Sequence, residues 1–185
     1  MMAPTHVATG PFLALPLFAV SPELAGVGAM AGIVGGVFPD LDLLSGRHRK
    51  TLHFPVLYWI GAVSALAVVA VAPTPATVAA AFFLLAAAVH SVLDWFGAGD
   101  ELRPWEATSR EGVYVHVTGR WLEPKRWVRY DGAPEDLALA VGLAVPGLWL
   151  YGTPVRAVLA GALVVAAVYV AVRRRVPRYV APYLE

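Results

Sequence analysis

The sequence has no cysteine and few charged residues. The absence of cysteine from 185 residues excludes disulfides, thiolate metal ligands and cysteine nucleophiles, so histidine and carboxylate side chains would have to hold any metal ion. Only 15% of residues are charged, against about 25% in a typical soluble domain, and 58% are hydrophobic. The formal net charge of +1 gives no reason to propose a nucleic-acid partner. This composition argues against both a water-soluble globule and a disordered chain.

Long apolar segments separate the few charged residues. Three segments of this kind are 54–72, 76–96 and 154–172. The first has no charge, and the other two contain only Asp94 and Arg156. Because about 20 apolar residues cross a bilayer core, these segments predict three spanning helices. Residues 137–152 carry Pro146 and predict a shorter fourth span, joined to the last one by a tight turn at 151–154.

The first 38 residues are apolar but contain helix-breaking positions. Pro16 and the segment Ser21-Pro22-Glu23 predict two short helices, at about 10–20 and 22–38. One long helix over 10–38 is the alternative, and it would place the N-terminus on the other side of the membrane. A cleaved signal peptide is disfavoured because residues 1–12 contain no lysine or arginine. The predicted fold is therefore an all-α polytopic membrane bundle of about five to six helices, with residues 1–185 forming one integral membrane domain.

The basic residues predict an orientation for this bundle. Residues 38–53, 97–136 and 173–185 contain 13 of the 14 lysines and arginines, and an alternating topology brings these three segments to one side. The positive-inside rule then predicts that they, and with them the C-terminus, lie on the cytoplasmic side of the cell (inner) membrane.

Residues 97–136 form the largest polar segment and predict a cytoplasmic loop with an inserted β-hairpin. Residues 112–118 alternate between apolar and polar side chains, and 126–130 offer a plausible partner strand. Four of the six tryptophans lie in or beside this loop: Trp95, Trp105, Trp121 and Trp127. Such rings favour the headgroup layer of a membrane, so we expect the loop to rest on the membrane surface as a cap.

Histidine and aspartate residues stand at four separated positions of the chain. His90 and Asp94 are four residues apart and share one face of the predicted third span. Taken alone, each group has a simpler interpretation. His90 and Asp94 would be a hydrogen-bonded pair near the interface, and Asp40 and Asp42 would belong to a solvated turn. The basic run at 47–53 would be a membrane anchor. The predicted topology nevertheless brings these groups to one membrane face, together with a histidine ahead of the first helix. Seven potential ligands converge there: His6, Asp40, Asp42, His48, His53, His90 and Asp94.

Imidazole and carboxylate ligands without cysteine predict a site for one to three divalent ions, zinc or manganese being the best matches. The fifth histidine, His116, lies within the predicted hairpin and is interpreted as a strand residue rather than a ligand.

The motifs that carry these groups resemble a known family. Thr5-His6, Pro39-Asp40-Leu41-Asp42, His48-Arg49-x-x-x-His53 and His90-x-x-x-Asp94 are similar in order and approximate spacing to the motifs of the YdjM-type, LexA-binding, inner-membrane-associated metal-dependent hydrolases. That family is grouped with the zinc-dependent phospholipase C and single-strand nuclease superfamily. The resemblance covers about residues 5–105, and nothing in these residues supports LexA binding.

The chain departs from the family pattern in the second motif. Lys50 stands where glycine is usual, Thr51 comes one place early, and Phe54 replaces a serine. The two histidines keep their spacing, so ligation is expected to survive, while any orienting role of the threonine or serine is in doubt.

The resemblance implies a metal-dependent hydrolase of the phosphoesterase kind. We expect Asp42 to bridge two ions or act as general base to the attacking water, the other six residues to be ligands, and Arg47 and Arg49 to hold a phosphate. The expected substrate is a phospholipid or another phosphate ester at the membrane face.

Two other classes of function remain open. A non-catalytic scaffold or partner-binding protein would explain the tryptophan-rich loop but leave the convergence of ligands as coincidence. A metal or proton transporter would place its ionisable groups near the bilayer midplane, whereas these gather at one end.

Overall fold

The computed structural model of the chain, which describes residues 1–180, is a bundle of helices with one two-stranded sheet. The elements are α1 (Ala3–Leu13), α2 (Leu17–Val20), α3 (Pro22–Val37), α4 (Leu57–Val71), α5 (Pro75–Phe96), β1 (Val113–Val115), β2 (Arg120–Leu122), α6 (Pro134–Leu150), α7 (Thr153–Val172) and α8 (Val176–Val180). Short 3-10 helices occupy Phe38–Leu43, Pro104–Glu106 and Arg173–Arg175. The prediction of an all-α bundle with a small hairpin is confirmed.

Four helical segments within residues 1–180 are long and apolar enough to cross a membrane. They are Ala3–Val20, Pro22–Leu43, Pro75–Phe96 and Thr153–Tyr179. The segment predicted at 54–72 forms a helix of only 15 residues, α4, because the chain enters it through an irregular Phe54-Pro55 segment. The segment predicted at 137–152 is the 17-residue α6, which contains Pro146 and meets α7 across the expected turn.

The first helix differs from its prediction. It begins at Ala3 rather than near residue 10 and ends at Leu13, and His6 is inside it rather than ahead of it. Pro4 occupies the first turn, where its missing N–H costs no hydrogen bond, so the helix can start this early. The chain then turns through Pro16 into α2 and reverses at Ser21, which rules out one long helix over 10–38.

Glycines allow α3 to lie unusually close to its neighbours. A Cβ atom on Gly10 of α1 would stand 2.2 Å from the carbonyl carbon of Gly32, and one on Gly35 would stand 2.1 Å from the carbonyl oxygen of Phe83 in α5. Only hydrogen fits at such contacts. The antiparallel pairing of α1 with α3 therefore returns the start of the chain to the end of α3 where the acidic residues lie.

The hairpin exists, but its second strand was wrongly predicted at 126–130. Residues Val113–Val115 pair antiparallel with Arg120–Leu122, joined by a turn that contains Gly119 at φ +65°. The backbone N–H groups of residues 125–127 instead donate to the carbonyl oxygens of Trp95, Gly97 and Phe96, at 2.9, 2.9 and 3.0 Å. The segment at 126–130 is thus used to cap the C-terminal end of α5, where helix carbonyls otherwise lack partners.

Candidate metal centre

The last turns of α5 supply two of the site residues. His90 and Asp94 lie one helical turn apart and are 0% and 1% exposed. The helix ends two residues later at Phe96, and the returning loop covers its end. This places both side chains inside the protein at one end of the bundle.

The chain beyond α3 supplies the acidic residues. Pro39 occupies the first turn of the 3-10 helix Phe38–Leu43, whose tighter winding separates Asp40 and Asp42. Asp40 is only partly buried and faces His90, and Asp42 is 1% exposed. The two carboxylates therefore serve different parts of the site.

Four side chains form a group that could hold a metal ion: Asp40, His53, His90 and Asp94, each with one ligand atom within 4.8 Å of the others. The Nε2 atoms of His53 and His90 are 3.1 Å apart. One carboxylate oxygen of Asp94 lies 3.2 Å from Nε2 of His53. An oxygen of Asp40 lies 3.3 Å from Nε2 of His90. We call these residues the four-ligand group.

Hydrogen bonds on the far side of each ring fix the histidine tautomers. Nδ1 of His90 lies 2.6 Å from the carbonyl oxygen of Gly36, which can only accept, so this nitrogen carries the proton. Nδ1 of His53 lies 2.9 Å from a carboxylate oxygen of Asp42 and donates to it for the same reason. In neutral rings both Nε2 atoms then carry lone pairs, and these two acceptors are only 3.1 Å apart. A cation between them would turn this repulsion into attraction.

The spacing of the donor atoms suits a tetrahedral ion. Donors about 2.0–2.1 Å from a zinc ion lie about 3.3 Å from one another in a tetrahedron. The separations of 3.1, 3.2, 3.3, 3.5 and 3.9 Å within the four-ligand group lie on both sides of that length. Two imidazole nitrogens with two carboxylate oxygens are also an accepted zinc donor set. The residues present therefore fit the metal ion that the sequence predicts.

Asp42 stands behind the four-ligand group. Its two oxygens each lie 2.9 Å from a histidine Nδ1, one in His48 and one in His53. The backbone N–H of Leu52 also donates to it, at 3.3 Å. Asp42, His48 and His53 form a second group that could hold a metal ion. The same geometry orients the His53 ring toward the four-ligand group, as carboxylates behind metal-binding histidines commonly do.

His6 lies on the other side of Asp94. Its Nε2 is 3.2 Å from the second oxygen of Asp94, and its ring stacks on that of His90 with centroids 3.6 Å apart. The terminal ammonium of Met1 lies 2.5 Å from the same Asp94 oxygen. Nδ1 of His6 is buried and has no hydrogen-bond partner among residues 1–180. His6 thus contacts the site through one carboxylate and lies outside the four-ligand group.

The two arginines expected to hold a phosphate differ in position. Arg49 is 6% exposed, donates through Nη1 to the carbonyl oxygen of Ala98, and its Nε lies 3.7 Å from Asp94. Within residues 1–180, that Nε has no hydrogen-bond partner. Arg47 points away from the site, paired with Glu111 at 2.5 Å and lying over the ring of Trp121. Only Arg49 is beside the predicted ligands.

His116 is outside both groups that could hold a metal ion. It lies in the turn after β1 rather than in the strand, with its ring centroid 4.4 Å from that of Phe54. Burial and the nearby charge of Lys50 both lower the pKa of His116.

Sequence reasoning missed two contributions to the site. The carbonyl oxygen of Gly36 fixes His90, and the buried Asp136 accepts hydrogen bonds from the Thr5 hydroxyl at 2.6 Å and the Met2 N–H at 2.8 Å. Asp136 thereby ties the first turn of α1, which carries His6, to the start of α6. A backbone carbonyl leaves no sequence signal, but an acidic residue at the start of an apolar helix could have been considered.

Comparison with known proteins identifies no relative. No protein-family model matches the chain, and neither a curated protein nor a solved structure does so. The resemblance to the YdjM-type family therefore stays a prediction that depends on its four motifs.

Proposed function

We propose that the protein is a membrane-embedded, metal-dependent hydrolase that cleaves a phosphate ester at one face of the membrane. The observation that carries the proposal is the pair of Nε2 atoms of His53 and His90, 3.1 Å apart, with both Nδ1 atoms engaged elsewhere. Burying two nitrogen lone pairs and two carboxylates together costs free energy, and a cation bound to all four groups would offset that cost.

A divalent ion held here would lower the pKa of a water molecule and polarise a phosphoryl oxygen. Asp40, His53, His90 and Asp94 would hold it, and zinc suits these donors best, with manganese as the alternative. Asp42 would keep the His53 ring in position through the hydrogen bond to Nδ1. We favour this orienting role over that of general base, because both oxygens of Asp42 already accept from histidine rings and the residue lies behind His53.

Arg49 is the residue we assign to the phosphate. Its guanidinium is always charged and is buried beside Asp94, and its Nε, which has no hydrogen-bond partner among the described residues, can form a charge-assisted hydrogen bond. The pairing of Arg47 with Glu111 makes it a poorer candidate.

We assign the site to the cytoplasmic face of the cell (inner) membrane. The support is the distribution of basic residues, which concentrates on the side of the bundle that carries the site. The same side carries the loop at 97–133 and the C-terminal end of α7.

The test is metal analysis of protein purified without chelators. Wild type is expected to carry about one or more equivalents of zinc or manganese and to hydrolyse bis(p-nitrophenyl) phosphate after metal loading. Asp94→Asn should lose most of the metal and the activity, because it removes a charged donor from the four-ligand group. His116→Ala should retain both, since His116 lies outside that group.

Metal-free wild type that takes up no added zinc or manganese would overturn the proposal and favour a non-catalytic scaffold. Metal binding without hydrolysis of any phosphate ester tested would overturn the hydrolase assignment alone.

A further inference from the structure

A cleft of about 660 Å³ opens beside the candidate metal centre. One wall is the start of α1, another is the 3-10 helix Phe38–Leu43 with the loop after it, and a third is the C-terminal half of α7. Its size is within the range of small-ligand sites. The cleft begins at Asp40 of the metal centre and extends from there along α7 to Val165.

The inner end of the cleft is polar. Asp40 of the four-ligand group lines it, together with His48 and Arg49. The Arg49 side chain is more than nine-tenths buried, and its Nε lacks a hydrogen-bond partner in the part of the chain that the structure describes. Once an ion offsets the carboxylates, the charge left at this end is that of the guanidinium, so an anionic group fits there.

Three acidic residues lie farther along the cleft: Asp131 and Glu101 are neutralised by their own partners, and Asp100 is exposed to solvent. Asp131 accepts from Nε of Arg173 at 2.7 Å and from the Tyr169 hydroxyl. Glu101 pairs with Arg126 at 3.2 Å. These carboxylates therefore do not oppose an anion at the inner end.

The side of the cleft is apolar and belongs to membrane-spanning segments. Leu43 ends the span Pro22–Leu43 and is 64% exposed, and Val165 lies within the span Thr153–Tyr179 and is 58% exposed. Val165 is eight residues before Arg173, which at 1.5 Å per residue is about 12 Å along the helix. If Arg173–Arg175 mark the headgroup level, the cleft extends into the hydrocarbon layer.

We propose that this cleft admits a membrane lipid sideways, between the 3-10 helix Phe38–Leu43 and α7. The phosphate of the lipid lies against Arg49 and the metal centre, and one acyl chain lies against Leu43 and Val165. A soluble phosphate ester lacks an acyl chain that could contact this apolar side. Cleavage of the bound lipid rests on the proposed function, whereas binding of the lipid does not rest on activity.

The test is photolabelling in phosphatidylcholine vesicles that contain a trace of phosphatidylglycerol with a diazirine on one acyl chain. Labelled residues are mapped, and labelling at Leu43 and Val165 is expressed relative to labelling at Val168. Val168 is also on α7 and is 59% exposed, but it does not line the cleft, so it reports ordinary lipid contact. The same measurement with a diazirine diacylglycerol tests the need for the phosphate.

We expect the relative labelling to be several-fold higher with phosphatidylglycerol than with diacylglycerol, and to fall to the diacylglycerol value in Arg49→Gln. Val165→Trp and Leu43→Trp should each block the cleft and reduce the labelling at the other position. Val168→Trp and Leu44→Trp are the matched controls, because both positions are exposed and outside the cleft.

Equal relative labelling with both probes would overturn the inference, since it would reduce the cleft to ordinary lipid contact. Loss of labelling with millimolar inorganic phosphate would instead indicate a site for free phosphate. Metal content and hydrolysis of bis(p-nitrophenyl) phosphate are measured on the same samples. Intact metal and activity with unspecific labelling would contradict the lipid cleft alone, whereas specific labelling of a metal-loaded but inactive protein would contradict the hydrolase assignment alone.

Discussion

The two ends of α5 are stabilised in opposite ways. At its start, the Thr74 hydroxyl accepts from the N–H of Thr77 at 3.2 Å, and the Thr77 hydroxyl accepts from the N–H of Thr74 at 2.9 Å. At its finish, His90 bonds to a carbonyl 54 residues away and Asp94 contacts His6, 88 residues away. The first end would form in any helix with this local sequence. The second end exists only when the whole bundle is folded.

This contrast separates structural from functional polar groups. Ionisable side chains in a spanning helix cost about 2.5–3.5 kcal/mol at the helix centre, and less toward its ends. The threonines at the start of α5 avoid this cost because they are neutral and exposed. The buried His90 and Asp94 at its finish carry this free-energy cost. If they bind a metal ion, changes at that end should alter metal binding, and changes at the start of α5 should not.

The largest effect is expected from His53→Ala. His53 is the one residue shared by both groups that could hold a metal ion, so its loss should reduce the metal content to background while α5 keeps its start. Elemental analysis after desalting measures this. His48→Ala is the matched variant, because His48 belongs only to the second group, and it should retain metal in the four-ligand group. Equal metal loss in the two variants would contradict the assignment.

A smaller effect is expected from Asp42→Asn. The asparagine side chain has one acceptor oxygen and can satisfy only one of the two histidines that Asp42 now holds. Losing such an orienting carboxylate typically weakens metal binding by about 10- to 100-fold, which a competition titration with a chelating dye would measure. Glu123→Gln, an exposed change outside the metal centre, should leave the affinity unchanged. An unchanged affinity in Asp42→Asn would remove its orienting role.

Gly36→Ala should disturb the metal centre at the C-terminal end of α5 without replacing any of the predicted ligands. The added Cβ would stand 2.4 Å from the carbonyl oxygen of His6, so α1 and α3 would have to separate. Overpacking of this kind costs about 1–3 kcal/mol, and metal affinity should fall with it. Thermal unfolding in detergent, with metal titration, checks both. Gly26→Ala is the control, since nothing lies within 4 Å of a Cβ there.

The smallest effect is expected at the other end of the helix. Thr74→Ala removes the capping hydroxyl and should lower the free energy of unfolding by about 1 kcal/mol. Metal content and affinity should be those of wild type. A loss of metal in this variant would show that the two ends are coupled, and the contrast between them would then fail.

Much of the fold follows from the sequence because apolar length and helix-breaking residues are local signals. The spans at 76–96 and 154–172 and the reversal at residues 21–23 emerge from such signals. The start of α1 at Ala3 differs from the prediction because proline, which breaks a helix interior, is accommodated in the first turn at Pro4. The partner of β1 was missed because residues 126–130 look like a strand but bond to the end of α5 instead.

The site was less accessible to sequence reasoning than the fold. Topology alone predicts that Asp40, His53, His90 and Asp94 share one end of the bundle, and the structure brings them within 4.8 Å of one another. Which histidine nitrogen faces inward could not be predicted, because the carbonyl oxygen of Gly36 and the carboxylate of Asp42 decide it. Spacing also could not separate Arg47 from Arg49, which differ only in where the loop backbone directs them.

The backbone at Arg49 has a further consequence. Its φ of +58° lies in the left-handed region, where glycine is the residue that fits without strain. Replacement by glycine would relieve the main-chain strain, yet it would remove the guanidinium that donates to the carbonyl oxygen of Ala98 and lies next to Asp94. The protein thus keeps a strained main-chain conformation at Arg49, as expected where chemistry rather than folding determines the choice of side chain.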